Sequence, residues 1–492
     1  MGVLLILLAL TASAAIGQQP SEWPQFQRDA AHTGSGEGPE PPYRIAWEFP
    51  VERVNQRGAS PAVIAGGLVV TVGPDAVHAL DIATGDEVWS VPREPGPPVA
   101  PAIVADGDRS LLVYTEGGGI EDPSGTPTPG PTTDAEDEGD QADRSTVLAI
   151  DLENQRLAWK LPYELEGAAE ASPVIEGDTV LVGDTEGTLA ALDAATGVER
   201  WKASAGGEVL RPPAADGDHV VLSLREGEEV QPTVSAFDLG DGERVWSVSP
   251  SVAAANPFTT IPSISGGRVY LGSFDRVVRA LSLEDGGEMW TNAGSFRSYA
   301  PITAPAVIGD ELYLGDDAGG LHRFAAATGE IAWSHALNAG ITFGAPVVVG
   351  SVVVVGLDDG RLAALDRDSG DLVWEVDAGE DLGPIAVGPE HLVVARTGPG
   401  SGIVAFEHDP DATLMTIVSP SKIRAGSLVG LWVAAAAILV VLLLVPLRLV
   451  AARVRPSAVQ ADAADGVAPG EGTDDVAIEQ IDDDAQGPEE HR

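Results

Sequence analysis

Short apolar runs recur along most of this chain, and turns rich in glycine and aspartate separate them. Leu68-Val69-Val70-Thr71-Val72, entered from Gly66-Gly67, is one such run. Val, Ile and Leu at alternating positions between Gly or Asp-Gly turns predict antiparallel hairpins. The runs fall into units. A proline opens each, at Pro61, Pro101, Pro173, Pro213, Pro262, Pro305, Pro346 and Pro384. Each full unit closes like Leu192-Asp193-Ala194-Ala195-Thr196-Gly197-Val198-Glu199-Arg200-Trp201, with an Asp turn, a Thr-Gly step and a tryptophan. Glycine supplies positive φ at that turn without steric cost.

The tryptophans set the period. Trp47, Trp89, Trp159, Trp201, Trp246, Trp290, Trp333 and Trp374 follow one another at steps of 42, 70, 42, 45, 44, 43 and 41. The long step exceeds its neighbour by 28, the length of the Gly/Pro/Thr/Asp/Glu-rich stretch 117–144. Four strands per unit of about 40–45 residues, repeated eight times, predict an all-β fold, an eight-bladed β-propeller of four-stranded antiparallel blades. A lone blade cannot bury both faces, and a ring can. The tryptophans are expected between blades, where Trp→Ala costs about 3–5 kcal/mol. Trp47 precedes the first proline-opened unit, and the last unit, ending Ile403-Val404-Ala405-Phe406, has no tryptophan of its own. The N-terminal strand is therefore expected to complete the eighth blade and close the ring.

The ends of the chain read differently. Residues 1–17 carry an apolar run and then small residues, as in a secretion signal, but without a basic start. Residues 427–447 hold no charge, and at 1.5 Å per residue they span about 31 Å, enough for a hydrocarbon core of about 30 Å. Lys422 and Arg424 precede this stretch and Arg448, Arg453 and Arg455 follow it, which favours a cytoplasmic C-terminus. The expected map is a signal peptide (1–17), an N-terminal extension (18–43), the propeller (44–409, with 117–144 an acidic loop insertion), a juxtamembrane linker (410–426), one transmembrane helix (427–447) and an acidic, disordered cytoplasmic tail (448–492). From residue 456 on, the tail has eleven acidic residues and one Arg, and cannot bury a core.

Charge narrows the function classes. With 28 Lys plus Arg against 75 Asp plus Glu, the net charge is −47, which argues against a nucleic-acid partner. Three of the cations are Lys. An acidic, lysine-poor chain fits a salt-adapted protein of halophilic type, since self-repulsion is screened in molar salt, and an acidic chain from a GC-rich genome is the alternative. Having no Cys, the chain has no disulfide, thiolate metal site, Cys nucleophile or lipid-modified Cys.

The repeat Leu-Asp-x-x-Thr-Gly-x-x-x-Trp resembles the quinoprotein (PQQ-like) repeat. So does the opening Trp23-Pro24-Gln25-Phe26-Gln27-Arg28-Asp29-Ala30-Ala31-His32-Thr33-Gly34. The resemblance covers about residues 23–407. It implies the propeller fold, and it spans pyrroloquinoline-quinone dehydrogenases, the lipoprotein of outer-membrane assembly, and surface proteins that bind no quinone. Family dehydrogenases hold the quinone against Ca²⁺ with a carboxylate base, a Glu and an Asn. No Asn–Asp pair stands in matching context here, and Asp81, Asp193 and Asp366 read as turn caps. The expected function is a membrane-anchored extracellular scaffold that binds other membrane or surface proteins, with no cofactor, no metal site and no catalytic residue. The alternative is a PQQ- and Ca-dependent dehydrogenase coupled to the membrane.

Smaller signals add little. Asp134-Ala135-Glu136-Asp137-Glu138-Gly139 outlines a calcium loop, but its twelfth position is Ser145, so it reads as a solvated insertion. No two of the eight His have zinc-ligand spacing. The loops from each tryptophan strand to the next proline converge at a funnel mouth. They hold Arg57, Glu170, Arg211, Asn256, Phe258, Arg297, Tyr299, Asn338 and Phe343. Of these, Arg57, Arg211, Asn256, Arg297, Tyr299 and Phe343 are the candidate partner-binding residues, as Arg and aromatics make interface anchors. Plain solvation or packing is the other reading of the same loops.

Overall fold

The computed structural model describes residues 22–53, 58–107, 109–118, 144–226, 231–249, 260–273, 275–293, 303–341, 345–379, 381–398 and 400–412. The expected signal segment, transmembrane helix and tail lie outside them. Among the described residues, no helix is long and apolar enough to cross a membrane.

Eight sheets form. Blade 1 runs from the inner strand Val63–Ala65 to the outer strand Glu87–Pro92, blade 2 from Ala102–Asp106 to Tyr163–Glu164, and blade 3 from Val174–Glu176 to Glu199–Ser204. Blade 4 runs from Ala214–Asp216 to Arg244–Val248, blade 5 from Ser263–Ser265 to Glu288–Asn292, blade 6 from Ala306–Ile308 to Ile331–Ala336, and blade 7 from Val347–Val349 to Leu372–Asp377. Each has four antiparallel strands in chain order. Blade 8 takes Leu382–Val387, His391–Arg396 and Gly402–His408, and its outer strand is Tyr43–Pro50. Its register runs from Tyr43 opposite His408 to Pro50 opposite Gly402, so the ring closes as the missing tryptophan predicted. First strands of neighbouring blades touch around the axis, including that of blade 1 against that of blade 8.

The core lies between blades. One apolar cluster joins Val63, Val70 and Ala79 of blade 1 to Leu112, Tyr114 and Leu148 of blade 2. Each sheet thus buries one face against the next, which is why the runs read as nearly continuous Val, Leu and Ala. Asp81, Asp193 and Asp366 are turn caps. Asp81 Oδ1, for example, accepts from the N–H of Ala83 at 3.0 Å and of Thr84 at 2.9 Å.

The tryptophans dock across blades by one rule. Trp201 Nε1 donates to Leu239 O at 2.7 Å in the next blade, and Trp246 Nε1 donates to Leu283 O at 2.8 Å. Trp47, Trp159, Trp290 and Trp333 do the same to Ile82, Ala194, Ala326 and Arg367. The acceptor always follows the first residue of the Asp-x-x-Thr-Gly-type turn, and the turn's glycine lies over the indole. At Gly197 φ is +72°, and an added Cβ would sit 2.4 Å from the Trp159 ring. Glycine is therefore required there for both conformation and space.

Two junctions depart from the rule. In blade 2 the glycine position is Gln155, held at φ 56°. Its Nε2 donates to Leu152 O at 3.1 Å, the carbonyl that would receive the indole of Trp89. Trp89 is half-buried, as are Trp290 and Trp333, which keep their carbonyl partners. At the seam, Trp374 faces a blade whose third and fourth strands come from opposite ends of the chain, so no turn joins them. Trp374 Nε1 is buried without an acceptor among the described residues.

The segment before Tyr43 forms a floor for the ring. From Trp23 onward it visits the blades in order and bonds to the inner strands of blades 1 to 7. Ile64 N–H donates to Trp23 O at 2.8 Å, Ile103 N–H to Pro24 O at 2.7 Å, and Ile175 N–H to Gln25 Oε1 at 2.8 Å. Ala215, Ile264, Val307 and Val348 donate to Ala30, Ala31, Thr33 and Gly34 at 2.7–2.9 Å. Ser35–Gly36 then pairs in parallel with blade 7. Positive φ at Gln27, Arg28, His32 and Gly34 bends the chain through this circle. Trp23 and Gly36 meet where the circle ends, a Cβ on Gly36 lying 3.2 Å from the Trp23 ring. The Trp-Pro-x-Phe…His-Thr-Gly opening is thus a plug, and more than the plain extension expected of residues 18–43.

Candidate functional site: a blind funnel

A cavity of about 330 Å³ lies on the axis above the plug. The loops that enter the inner strands supply its wall, from Pro61 in blade 1 to Pro384 in blade 8, and Phe26 of the plug contributes from beneath. Most lining groups are small or apolar, among them Val99, Ala100, Pro212, Ile261, Ala304 and Ala345. This follows from the repeat, because the residue before the opening proline is small in six of the eight units, which lets the loops converge. Two charged side chains enter the wall, Glu170 and Arg211.

Arg211 is the unusual one. It is half-buried, and burial with no counter-charge holds its guanidinium below the usual arginine value. Other shielded arginines are neutralised or give their N–H groups to carbonyls. Arg279 pairs with Asp275, and Arg361 with Asp359 and Glu375. Arg93 donates to Gly73 O at 2.7 Å. A second cavity of about 400 Å³, at blades 6 and 7, is lined by Arg323, Arg367 and Glu311. There the charges cancel, with Glu311 2.6 Å from Arg367 and 3.0 Å from Arg323. Arg211 has no such partner among the described residues. A desolvated cation without one is unfavourable, and an incoming anion relieves it.

Of the candidate mouth residues, the structure places Arg211 in the funnel wall together with Glu170. Asn338 is an exposed left-handed turn residue with φ 60°, as plain loop geometry requires. Arg57, Asn256, Phe258, Arg297, Tyr299 and Phe343 lie outside the described residues, as do 119–143 of the acidic insertion. The described ends of that insertion, Gly117 and Ser145, face each other as a hairpin between the second and third strands of blade 2.

Sequence reading missed two polar arrangements. His32, fully buried in the plug, has Nδ1 donating to Pro262 O at 3.0 Å, and desolvation depresses its pKa to about 4. His322 links buried Asp316, 3.1 Å from Nε2, to exposed Ser334, 2.8 Å from Nδ1. The signal for the second was available in the spacing, since His322 and Ser334 are direct cross-strand neighbours.

A quinone held against calcium needs several oxygen ligands in the funnel. The described wall offers one carboxylate, Glu170. No three His, Cys, Asp or Glu side chains among the described residues come together as a metal site. The described residues do not fit that ligand set.

The fold and site thus define a closed eight-bladed propeller with a plugged floor and an open funnel whose described wall carries one carboxylate, Glu170, and one guanidinium, Arg211. The family described as "Outer membrane protein assembly factor BamB" (PQQ_2) matches residues 143–293, 233–336 and 274–418, more than half of the chain. The chain belongs to this family. It is 29% identical over 180 residues to the assembly factor BamB of Legionella pneumophila, 35% of this chain and 45% of that protein. It is 35% identical over 179 residues to the serine/threonine-protein kinase AfsK of Streptomyces griseus, 32% of this chain and 21% of the kinase. The chain therefore spans between about a fifth and a half of these relatives. A europium-containing methanol dehydrogenase matches in fold, with TM-score 0.59 and 13% identity, covering 79% of this chain and 98% of that one.

Proposed function

We propose that this protein is a protein-binding or assembly scaffold, a propeller held outside the cell by one membrane helix at 427–447. In this reading 1–17 is a secretion signal and 448–492 a cytoplasmic tail. Its partners are other membrane or surface proteins, and no nucleic acid is involved. The acidic, lysine-poor composition is read as salt adaptation. The observation that carries the scaffold role is the funnel itself. One face is sealed by the chain's own N-terminal segment, and the other presents converging loops with Arg211, which has no counter-charge among the described residues. Membership of the assembly-factor family supports the same reading.

The test pairs two measurements on the full-length chain. Calorimetric titration with pyrroloquinoline quinone and Ca²⁺ in molar salt is expected to give no heat. Single-site binding at micromolar Kd or tighter would establish the dehydrogenase alternative instead. Crosslinking in native membranes is expected to join the chain to a defined protein partner, and Arg211→Glu is expected to weaken that link while the melting temperature holds.

A further inference from the structure

We propose that the funnel receives the free C-terminal carboxylate of a partner polypeptide, seated on the Arg211 guanidinium. This rests on the scaffold reading and names what that face binds.

Charge comes first. Arg211 forms no ion pair among the described residues, although Glu170 lines the same wall, and its planar fork of N–H donors matches a carboxylate in two-point contact. Shape comes second. The cavity is blind, because Phe26 and the plug lie beneath it, so a segment cannot thread through. Its volume of about 330 Å³ is at the small end of ligand cavities, roughly 300–1,000 Å³. A loop would bring two lengths of chain into that space, whereas a terminus brings one. The wall comes third. Pro98, Val99, Ala100 and Pro212 are rigid and apolar, and suit a small aliphatic last residue.

The rest of the chain refines the partner. A net charge of −47 repels an acidic segment from the mouth. The favoured segment therefore carries one negative charge at its very end and basic residues upstream.

The probe is an N-terminally fluorescein-labelled peptide, Lys-Arg-Lys-Gly-Ser-Ala-Val, with either a free or an amidated C-terminus. Fluorescence anisotropy is read on the full-length chain in detergent at the lowest salt that leaves its melting transition intact, so that charge pairing is screened as little as the fold allows. The free acid is expected to bind at least about tenfold more tightly than the amide, as charged hydrogen bonds warrant. Arg211→Gln should lose the same factor with an unchanged melting temperature, and Arg211→Lys should recover part of it. Equal binding of acid and amide overturns the proposal, as does unchanged affinity in Arg211→Gln. No saturable binding up to ~1 mM overturns it too. Displacement by equimolar isobutyrate assigns the pocket to small free acids and also overturns it. If the native-membrane crosslink survives in Arg211→Gln while the peptide fails to bind, the scaffold reading stands and this one falls. If crosslinks to the funnel face are missing altogether, the scaffold reading itself has failed.

Discussion

Gln155 donates its side-chain Nε2 to Leu152 O at 3.1 Å and so occupies the carbonyl that six other blades offer to a tryptophan indole. It also holds φ 56°, a conformation that favours glycine. The junction between blades 1 and 2 is therefore the least complete of the turn-built junctions. Gln155→Gly is expected to stabilise the protein by about 1 kcal/mol, from relieved backbone strain and a freed acceptor. Calorimetric melting reads the gain, and quenching of Trp89 fluorescence by acrylamide should fall. The converse change, Gly197→Gln, meets the Trp159 ring and should cost roughly 2–4 kcal/mol.

Trp374 tests the seam. Its indole N–H is buried without an acceptor, whereas that of Trp201 is bonded to Leu239. Trp201→Phe loses a bond and leaves the carbonyl of Leu239 without its indole donor. Trp374→Phe removes a donor that had no acceptor. The first is expected to be more destabilising by about 1–2 kcal/mol, measured as the difference in unfolding free energy.

The plug should be a keystone for the ring. Trp23 is 1% exposed, and its backbone bonds blade 1 while its ring meets Gly36. Trp23→Ala is expected to cost about 3–5 kcal/mol and to lower the melting temperature of the whole ring in a single transition. A separate early transition confined to the N-terminal segment would show that the floor is only loosely attached.

His32 gives a pH dependence of defined sign. Its folded pKa is depressed from 6.5 to about 4 by burial, so the unfolded chain binds the extra proton between those values. The folded protein loses stability as pH falls from about 6.5 to 4, by up to roughly 3 kcal/mol from this residue. Nearby Asp29, raised by burial, acts in the opposite sense above its ordinary value. The slope of unfolding free energy should be shallower in His32→Gln than in the parent over that range. Equal slopes would show that His32 takes up its proton in the folded protein much as it does in the unfolded chain.

Blade number, strand count and ring closure were legible because each tryptophan marks one interblade contact and each proline one inner strand. The missing tryptophan after Phe406 announced that Trp47 must come round to fill the place. The plug was not legible as such. Its bonds are made by backbone carbonyls of residues such as Pro24, Ala30 and Ala31, and backbone partners leave no trace in side-chain type. The funnel was partly legible. Arg211 stood out as a cation in an acidic chain, but that it lacks a counter-charge depends on where Glu170 and the other loops lie in space. The Gln155 departure was visible as a broken Thr-Gly pattern, though its capture of the Leu152 carbonyl was not.

Position-specific photo-crosslinking tests the central claim most directly. A photoreactive residue is placed at Glu170 or Ser172 on the funnel face, and at Asp178 or Asp218 in turns at the opposite end of the inner strands. Each full-length variant is irradiated in native membranes. The account predicts one discrete protein adduct from both funnel positions and none from the turn positions. Adducts from the turns alone, or from neither face, would contradict a scaffold that works through its funnel.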